Sequence, residues 1–427
     1  MSQARVHPSH RNSVTARRAL TALAMISVTL VWSIAGQSSV SSAEPTARYA
    51  VFFDEDSTPD AAVRSLGARA LSRVRQRYRR VWNGFAADLT AAEADSLQHR
   101  PGVRAVVRDG RARIADGPVS VRAVRAPRQP AQSIPTGVAR CGARLSATAR
   151  INKIEDPMPV DVAIVDTGVD ASHPDLNVVG GFAAVGGTFA DGNGHGTHIA
   201  GIVGARDNRI GVVGVAPGAR LWAVRVLGDD GTGFYTDIAA GLEFVVERSD
   251  TIRIANLSLT GDLADSEVLR AAVQACQAAG VTVIAAAGNT RQDVAGIAPA
   301  SFEGVIAVSA LADKNGKGGK SAGIFRVGAT PEKDESFAYF SNFGAGIALM
   351  APGCSIKSTL PGGGYGSISG TSQSTAHVSG AAALYLKTHP GAMPAEIRAA
   401  LVAAGDAFSP MDDTDGFREP LLNVSTF

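Results

Sequence analysis

Asp166, His195 and Ser372 are an acid, a base and a hydroxyl, each in a setting that suits it for chemistry. Ser372 follows Ser369-Gly370-Thr371 and opens a run of small and apolar residues that ends at His389-Pro390-Gly391. Such a run predicts a helix over 372–387 buried in the domain centre rather than lying on the surface. Ser372 then falls in the first turn, where unpaired backbone N–H groups and the helix dipole favour developing negative charge. A Ser there is otherwise a plain cap, so its partners decide its meaning. Asp166 opens Asp166-Thr167-Gly168 at the end of an apolar stretch. That tripeptide alone suggests an aspartic protease, which needs a second carboxylate to share a proton. No second copy exists, since Asp413-Thr414-Asp415-Gly416 follows no apolar strand. His195 lies in Gly194-His195-Gly196-Thr197-His198. Two His three apart on a helix could hold zinc in a metal-dependent hydrolase, yet no Glu stands between them as in His-Glu-x-x-His. A His at a glycine-flanked helix start can instead be a general base tuned by an acid partner. The three groups run Asp…His…Ser, an order that recurs among catalytic triads.

Positioning them is a task for the elements around them. Apolar strands are expected at 160–165, 220–227, 252–259, 281–287 and 305–308, alternating with helices at 236–246, 265–279, 372–387 and 394–404. Continuous Val, Ile and Ala strands bounded by Gly predict an α/β fold, a mostly parallel sheet with helices on both faces. Reactive groups in such sheets collect at the carboxyl ends of the strands.

These motifs resemble the subtilisin-like serine proteases. The resemblance rests on Asp-Thr-Gly at 166–168, Gly-His-Gly-Thr-His at 194–198 and Gly-Thr-Ser at 370–372. Ala285-Ala286-Ala287-Gly288-Asn289, Ser341-Asn342-Phe343-Gly344, Ala351-Pro352-Gly353 and Ala131-Gln132-Ser133-Ile134-Pro135 support it, in order across nearly all of 131–427. It implies a serine endopeptidase in which Ser372 attacks a peptide carbonyl, His195 moves the proton and Asp166 fixes the imidazole. Asn289 would donate to the oxyanion. Peptide or protein substrate would add as a strand between Gly231-Thr232-Gly233 and Ser258-Leu259-Thr260. A structural calcium is implied as well, held by the side chains of Gln132, Asp175 and Asn208 and the carbonyls of Arg206, Ile210 and Val212. His198, Asp170 and His173 read as structural polar groups near the site.

The chain departs from the family at Gln373, where Met is usual, at Ala376, where Pro is usual, and at Thr260, where Gly is frequent. A buried Gln amide needs a partner. The insertion at 314–336 is expected to be a mobile loop. These departures leave room for a catalytically impaired, subtilisin-like binding protein as the alternative to a protease.

The remainder of the chain is organised around that unit. Residues 1–43 carry four Arg and no acid; Arg17-Arg18, an apolar stretch and Ser41-Ser42-Ala43 predict a secretory signal cleaved after Ala43. Residues 44–115 read as a small α+β domain: a strand at 48–53, a helix at 59–80, a strand at Gly84–Leu89, a capping box at Thr90-Ala91-Ala92-Glu93 opening a helix, and a strand at 103–107. It resembles the inhibitory propeptide of secreted subtilisins through Gly84-Phe85-Ala86-Ala87 and Pro101-Gly102-Val103. Residues 116–130 read as an exposed linker with the processing site, placing the mature N-terminus near Ala131 or earlier in the linker, and 131–427 as the catalytic domain. Residues 44–130 carry a net charge of +6 and 131–427 of −8, which suits one to dock on the other. The expected product is a secreted monomer with no membrane span after signal cleavage, and no basic stripe with interleaved aromatics points to nucleic acid. Cys141, Cys276 and Cys354 allow one disulfide and a free thiol, or three buried thiols.

Overall fold

The structure is a computed structural model that describes residues 44–57, 71–115, 129–156, 158–319, 322–407, 410 and 415–427. The signal at 1–43, most of the linker and the first part of the helix expected at 59–80 lie outside the described residues. No helix among the described residues is long and apolar enough to cross a membrane.

Strands β1 (Ala47–Phe53), β2 (Val74–Tyr78), β3 (Gly84–Leu89) and β4 (Val103–Arg108) form an antiparallel sheet in the order β2-β3-β1-β4. Helix α1 (Ala91–Gln98) packs on it, opened by the capping box in which Thr90 and Glu93 bond each other's backbone N–H. The expected helix at 59–80 is corrected at its end. Val74-Arg75-Gln76-Arg77-Tyr78 is a strand, paired with β3 along Val74↔Ala87 to Tyr78↔Gly84. Its long polar side chains mimic a solvated helix face, but the backbone pairing and burial of Tyr78 against Trp82 decide for a strand.

The large sheet runs β17-β14-β12-β10-β6-β8-β7, with β18 also on β14. Its members are β6 (Met158–Asp166), β7 (Val178–Ala183), β8 (Ala219–Arg225), β10 (Ile252–Leu257), β12 (Thr282–Ala286), β14 (Ile306–Ala312), β17 (Ser336–Phe337) and β18 (Leu349–Pro352). All pairs are parallel except the β17 edge. Alternation along β6 splits the core: Val162 and Ile164 join one apolar cluster, Ala163 and Val165 the other. Against the first lie α3 (His195–Gly204), α6 (Thr371–Thr388) and α7 (Pro394–Ala404); against the second, α4 (Tyr235–Val246) and α5 (Glu267–Ala278). Short helix α2 (Thr136–Arg140) precedes β6. This is the layered α/β arrangement read from the apolar strands.

The 314–336 insertion is a folded hairpin rather than a loop, a second correction. Strands β15 (Ile324–Val327) and β16 (Thr330–Lys333) pair antiparallel, and Arg140 holds Glu335 by two hydrogen bonds of 2.8 and 2.9 Å. Asp334 accepts from the Lys314 and Ala322 N–H groups and the Asn315 amide, which closes the base of the hairpin. The cysteines are three buried thiols.

Candidate active site

Asp166 ends β6 at the carboxyl edge of the sheet, and α3 begins with His195 beside it. His195 Nδ1 lies 2.7 Å from Asp166 Oδ1, which also accepts from the Thr167 N–H at 2.7 Å. Both side chains are buried. Burial pushes the Asp166 carboxyl up, while His195 and the Thr167 N–H pull it back down. The close approach depends on Gly196, where a Cβ would stand 2.0 Å from the Gly168 carbonyl oxygen. The loop into α3 is fixed by Asp191, four residues before His195. Its Oδ1 accepts from Thr167 Oγ1 and the Asn193 and Gly194 N–H groups, and its Oδ2 from Thr197 N and Oγ1.

Helix α6 opens at Thr371 and packs on α3, bringing Ser372 to the same end of the sheet. The Ser372 backbone carbonyl accepts from Ser258 Oγ at 2.9 Å, Asn256 donates to Ser258 Oγ at 2.9 Å, and Ser379 donates to Asn256 at 2.8 Å. A chain of polar groups thus ties α6 to the wall of the cleft. Asn289 Oδ1 accepts from Thr371 N and Oγ1, both at 3.0 Å, while its Nδ2 is buried with no hydrogen-bond partner among the described residues. The 287–292 loop carrying Asn289 is braced by Asn342, which donates to the Ala287 carbonyl and accepts from Thr290 and Gln292.

The remaining polar residues behave differently. His198 Nε2 faces the Ile356 carbonyl at 3.0 Å and His173 Nε2 the Gly364 carbonyl at 3.0 Å. Asp170 holds Ser172 and the Gly362 N–H. Among the described residues, neither His195 nor His198 belongs to a cluster of metal-ligating side chains. Gln373 is fully buried and neither amide atom has a hydrogen-bond partner among the described residues, so the partner its chemistry demands is not supplied. Four residues on, His377 is buried with Nδ1 at 2.8 Å from the Gln373 carbonyl.

A strand occupies the cleft that sequence reasoning missed. Residues 111–114 form β5 (Arg111–Ile114), antiparallel to both β9 (Thr232–Phe234) and β11 (Leu259–Asp262), with β13 (Ile297–Ala298) beyond. Ile114 N–H donates to the Gly231 carbonyl and Ala115 N–H to the Ser258 carbonyl. The Ala115 carbonyl faces Ser372 and accepts from both its hydroxyl and, at 3.3 Å, its N–H. Gly231 has φ +75° and would carry a Cβ 3.0 Å from Ile114 Cδ1, so a larger residue there would crowd the Ile114 side chain. Beside Ala115 opens a cavity of about 590 Å³, lined in part by Thr260, Asn289 and Ile297. Its short length and alternating Arg left β5 without a strand signature, and only its partners define it.

The small domain is held by carboxylates used as caps. Glu243 on α4 accepts the N–H groups of Arg79, Arg80 and Val81 at 2.8 to 3.0 Å. Asp109 accepts from Thr236 N and Oγ1, and Tyr78 donates to the Thr236 carbonyl. Arg48–Asp237, at 3.0 Å, is the ion pair joining the two charged halves among the described residues.

At the loop expected to hold calcium, Ala131 and Ser133 bridge to Ile210 and Val212, which lays Gln132 against 206–212. Gln132 Oε1 accepts the Arg209 N–H at 2.7 Å and Asn208 Oδ1 the Ile210 N–H at 3.1 Å, each oxygen keeping a second lone pair. Asp175 is fully buried; its Oδ2 accepts the Val212 N–H and its Oδ1 has no partner among the described residues. Burial pushes this carboxyl up to about 6. An orphaned buried carboxylate oxygen beside amide and carbonyl oxygens is a donor set that fits a hard cation.

The comparisons with known proteins agree with this architecture. Residues 159–417 match the subtilase family and residues 37–115 the peptidase inhibitor I9 family. Subtilisin BL from Lederbergia lenta is 42% identical over 270 residues, covering 63% of this chain and 90% of that protein. Subtilisin E from Bacillus subtilis (strain 168) is 39% identical over 274 residues, 63% of this chain and 65% of that one. A solved cold adapted subtilisin-like serine proteinase matches with a TM-score of 0.54 at 30% identity, over 66% of this chain and 97% of its own. The chain thus belongs to the subtilase family, a subtilisin-like serine endopeptidase preceded by an inhibitor I9 propeptide.

Proposed function

We propose that this protein is a secreted endopeptidase, made as a zymogen, that works through a Ser372-His195-Asp166 triad and an acyl-enzyme, and that its first substrate is its own Ala115–Asp116 bond. The observation that carries the reading is the Ala115 carbonyl, held by both the hydroxyl and the N–H of Ser372. Ser372 Oγ attacks that carbonyl carbon and His195 takes the hydroxyl proton, stabilised as imidazolium by Asp166. The tetrahedral oxyanion takes hydrogen bonds from the Ser372 N–H and from Asn289 Nδ2, whose donors have no other use in the site. His195 then returns the proton to the Asp116 nitrogen, the C–N bond breaks and Ala115 is left as an ester on Ser372. Water, deprotonated by His195, hydrolyses the ester and frees the enzyme.

On this reading residues 1–43 are the signal, 44–115 the inhibitory propeptide, 116–130 a linker and 131–427 the catalytic domain. Cleavage after Ala115 leaves the linker on the enzyme, upstream of the boundary near Ala131. Later substrates take the place of β5 between 231–233 and 258–260, so backbone pairing binds them with little sequence demand. Calcium would be held by Gln132, Asp175 and Asn208 with the carbonyls of Arg206, Ile210 and Val212. Its contribution there is to pin the N-terminal segment to the loop, remote from the bond chemistry.

A fluorophosphonate probe, with intact mass of the processed chain, tests the proposal. Wild type is expected to label at Ser372 and to yield a chain beginning at Asp116; Ser372→Ala is expected to stay unprocessed and unlabelled. A folded wild type that neither labels nor processes would overturn it in favour of a binding protein.

A further inference from the structure

The strand in the cleft is a substrate held in register, and one of its side chains meets a feature the reaction does not explain. With Ala115 as the first acyl-side residue, Ile114 is the second, Arg113 the third, Ala112 the fourth and Arg111 the fifth. Ala112 is buried in the same apolar cluster as Tyr235 and Leu227. Arg111 pairs across the strands with Phe234, and its guanidinium carbon lies 4.2 Å from the Phe234 ring centroid. Arg48, from the body of the propeptide, lies 4.1 Å from the same centroid. Two cations drawn to one half-buried ring mark it as a cation-binding surface.

The surroundings carry the same sign. Asp237 Oδ2 accepts the Phe234 N–H at 3.3 Å and pairs with Arg48. Asp265 lines the same hollow as Phe234 and Arg111. Asp230, four residues before Phe234, is held ionised chiefly by the Thr232 N–H and hydroxyl, with Arg111 adding to the effect. Once the propeptide departs, Arg48 and Arg111 leave together. The enzyme then keeps a bare aromatic ring with Asp237 and Asp265 near it and Asp230 within electrostatic reach of the place Arg111 left, one strand residue beyond buried Ala112.

We propose that Phe234 is a subsite for a cationic side chain five residues upstream of the cut bond, so that this enzyme selects extended segments carrying Arg or Lys at that position. The inference rests on the endopeptidase reading and adds a substrate class to it. The ring attracts charge through its face, and the carboxylates make the attraction selective against Glu as well as against neutral residues. The propeptide tail already satisfies the rule with Arg111, so inhibitor and preferred substrate share one recognition element.

The test uses the processed enzyme and quenched peptides built on Arg-Ala-Arg-Ile-Ala-Asp, with the first Arg replaced by Lys, norleucine, Ala or Glu. Norleucine matches the Lys stem without its charge and separates packing from cation binding. Wild type is expected to cleave the Arg and Lys peptides with kcat/KM roughly three-fold or more above norleucine and Ala, with Glu the poorest. Added salt should narrow that ratio. Phe234→Leu should bring the ratio close to one and Phe234→Tyr should preserve it, the Tyr variant guarding against loss of fold. Equal turnover of all five peptides by wild type, or a preference that persists in Phe234→Leu, overturns this inference alone. Turnover of none overturns the endopeptidase reading and this inference with it.

Discussion

At the scale of single residues, Asn289 divides its amide between two tasks. Its oxygen is committed to Thr371 at the start of α6, which leaves the nitrogen without a partner among the described residues and, in the proposed mechanism, available to the oxyanion. Asn289→Ala is expected to lower kcat by about 10²–10³ with KM little changed, checked by steady-state kinetics. That magnitude was measured on subtilisin itself, so it is not independent of the family assignment. Asp166, His195, Ser372 and Asn289 are legible in the sequence because each sits in a short motif whose glycines and neighbours are as diagnostic as the residue. The bracing roles of Asp191 and Asn342 are not, although Asn342 lies within the matched Ser341-Asn342-Phe343-Gly344. Both work by gathering backbone N–H groups from a loop, a job that any Asp or Asn in a turn could hold and that leaves no spacing to read.

At the scale of elements, α6 carries its unusual groups on the buried side. Burial holds the His377 ring down at about 4, against an ordinary value near 6.5. Folding must therefore strip a proton that the unfolded chain keeps at mildly acid pH. The stability that the neutral ring supplies is full above about pH 6.5 and is lost as the pH falls through about 4. Melting temperatures from pH 7 to pH 4 are expected to fall more steeply in wild type than in His377→Asn; parallel curves would count against this account. Helix α4 does different work, its Glu243 capping the turn between β2 and β3. Glu243→Ala removes the acceptor for three N–H groups and should weaken the hold on the propeptide by about 2 kcal/mol. The measurable result is a shorter lag between processing and full activity, while the processing step itself keeps its rate. The parallel strands could be read from their uninterrupted Val, Ile and Ala. β2 and β5 could not, since an Arg-rich strand owes its form to neighbours distant in the chain.

At the scale of the molecule, residues 45–427 form one body, and the opposite net charges of its two parts suggest broad electrostatic docking. The contacts are more local: Glu243 of the large domain caps a turn of the small one, Asp109 of the small domain accepts from Thr236 in return, and among the described residues one Arg48–Asp237 pair spans them. Net charge alone could not reveal that, because it says nothing of where acids meet free N–H groups. The loop proposed to hold calcium belongs to this scale because it ties residues 131–133 to the body of the catalytic domain. Exhaustive chelation is expected to lower the melting temperature of the processed enzyme while leaving fluorophosphonate labelling at 25 °C unchanged. Asp175→Asn should remove the dependence of melting on calcium, and an unchanged melting temperature in wild type would sink the assignment. The 314–336 insertion shows why composition misled: Gly and Lys suit a loop, yet Asp334 and the Arg140–Glu335 pair close a hairpin through contacts made after folding.

The three thiols give this architecture an unplanned set of reporters. Cys141, Cys276 and Cys354 are buried in three separate apolar clusters, and burial pushes each above its ordinary value, Cys141 to about 12. None can present a thiolate to a reagent while its cluster is closed. Folding needs no oxidant, and an alkylating agent marks a cysteine only when its own cluster opens. The order in which the three are modified would therefore chart which part of the enzyme loosens first, without any label being introduced.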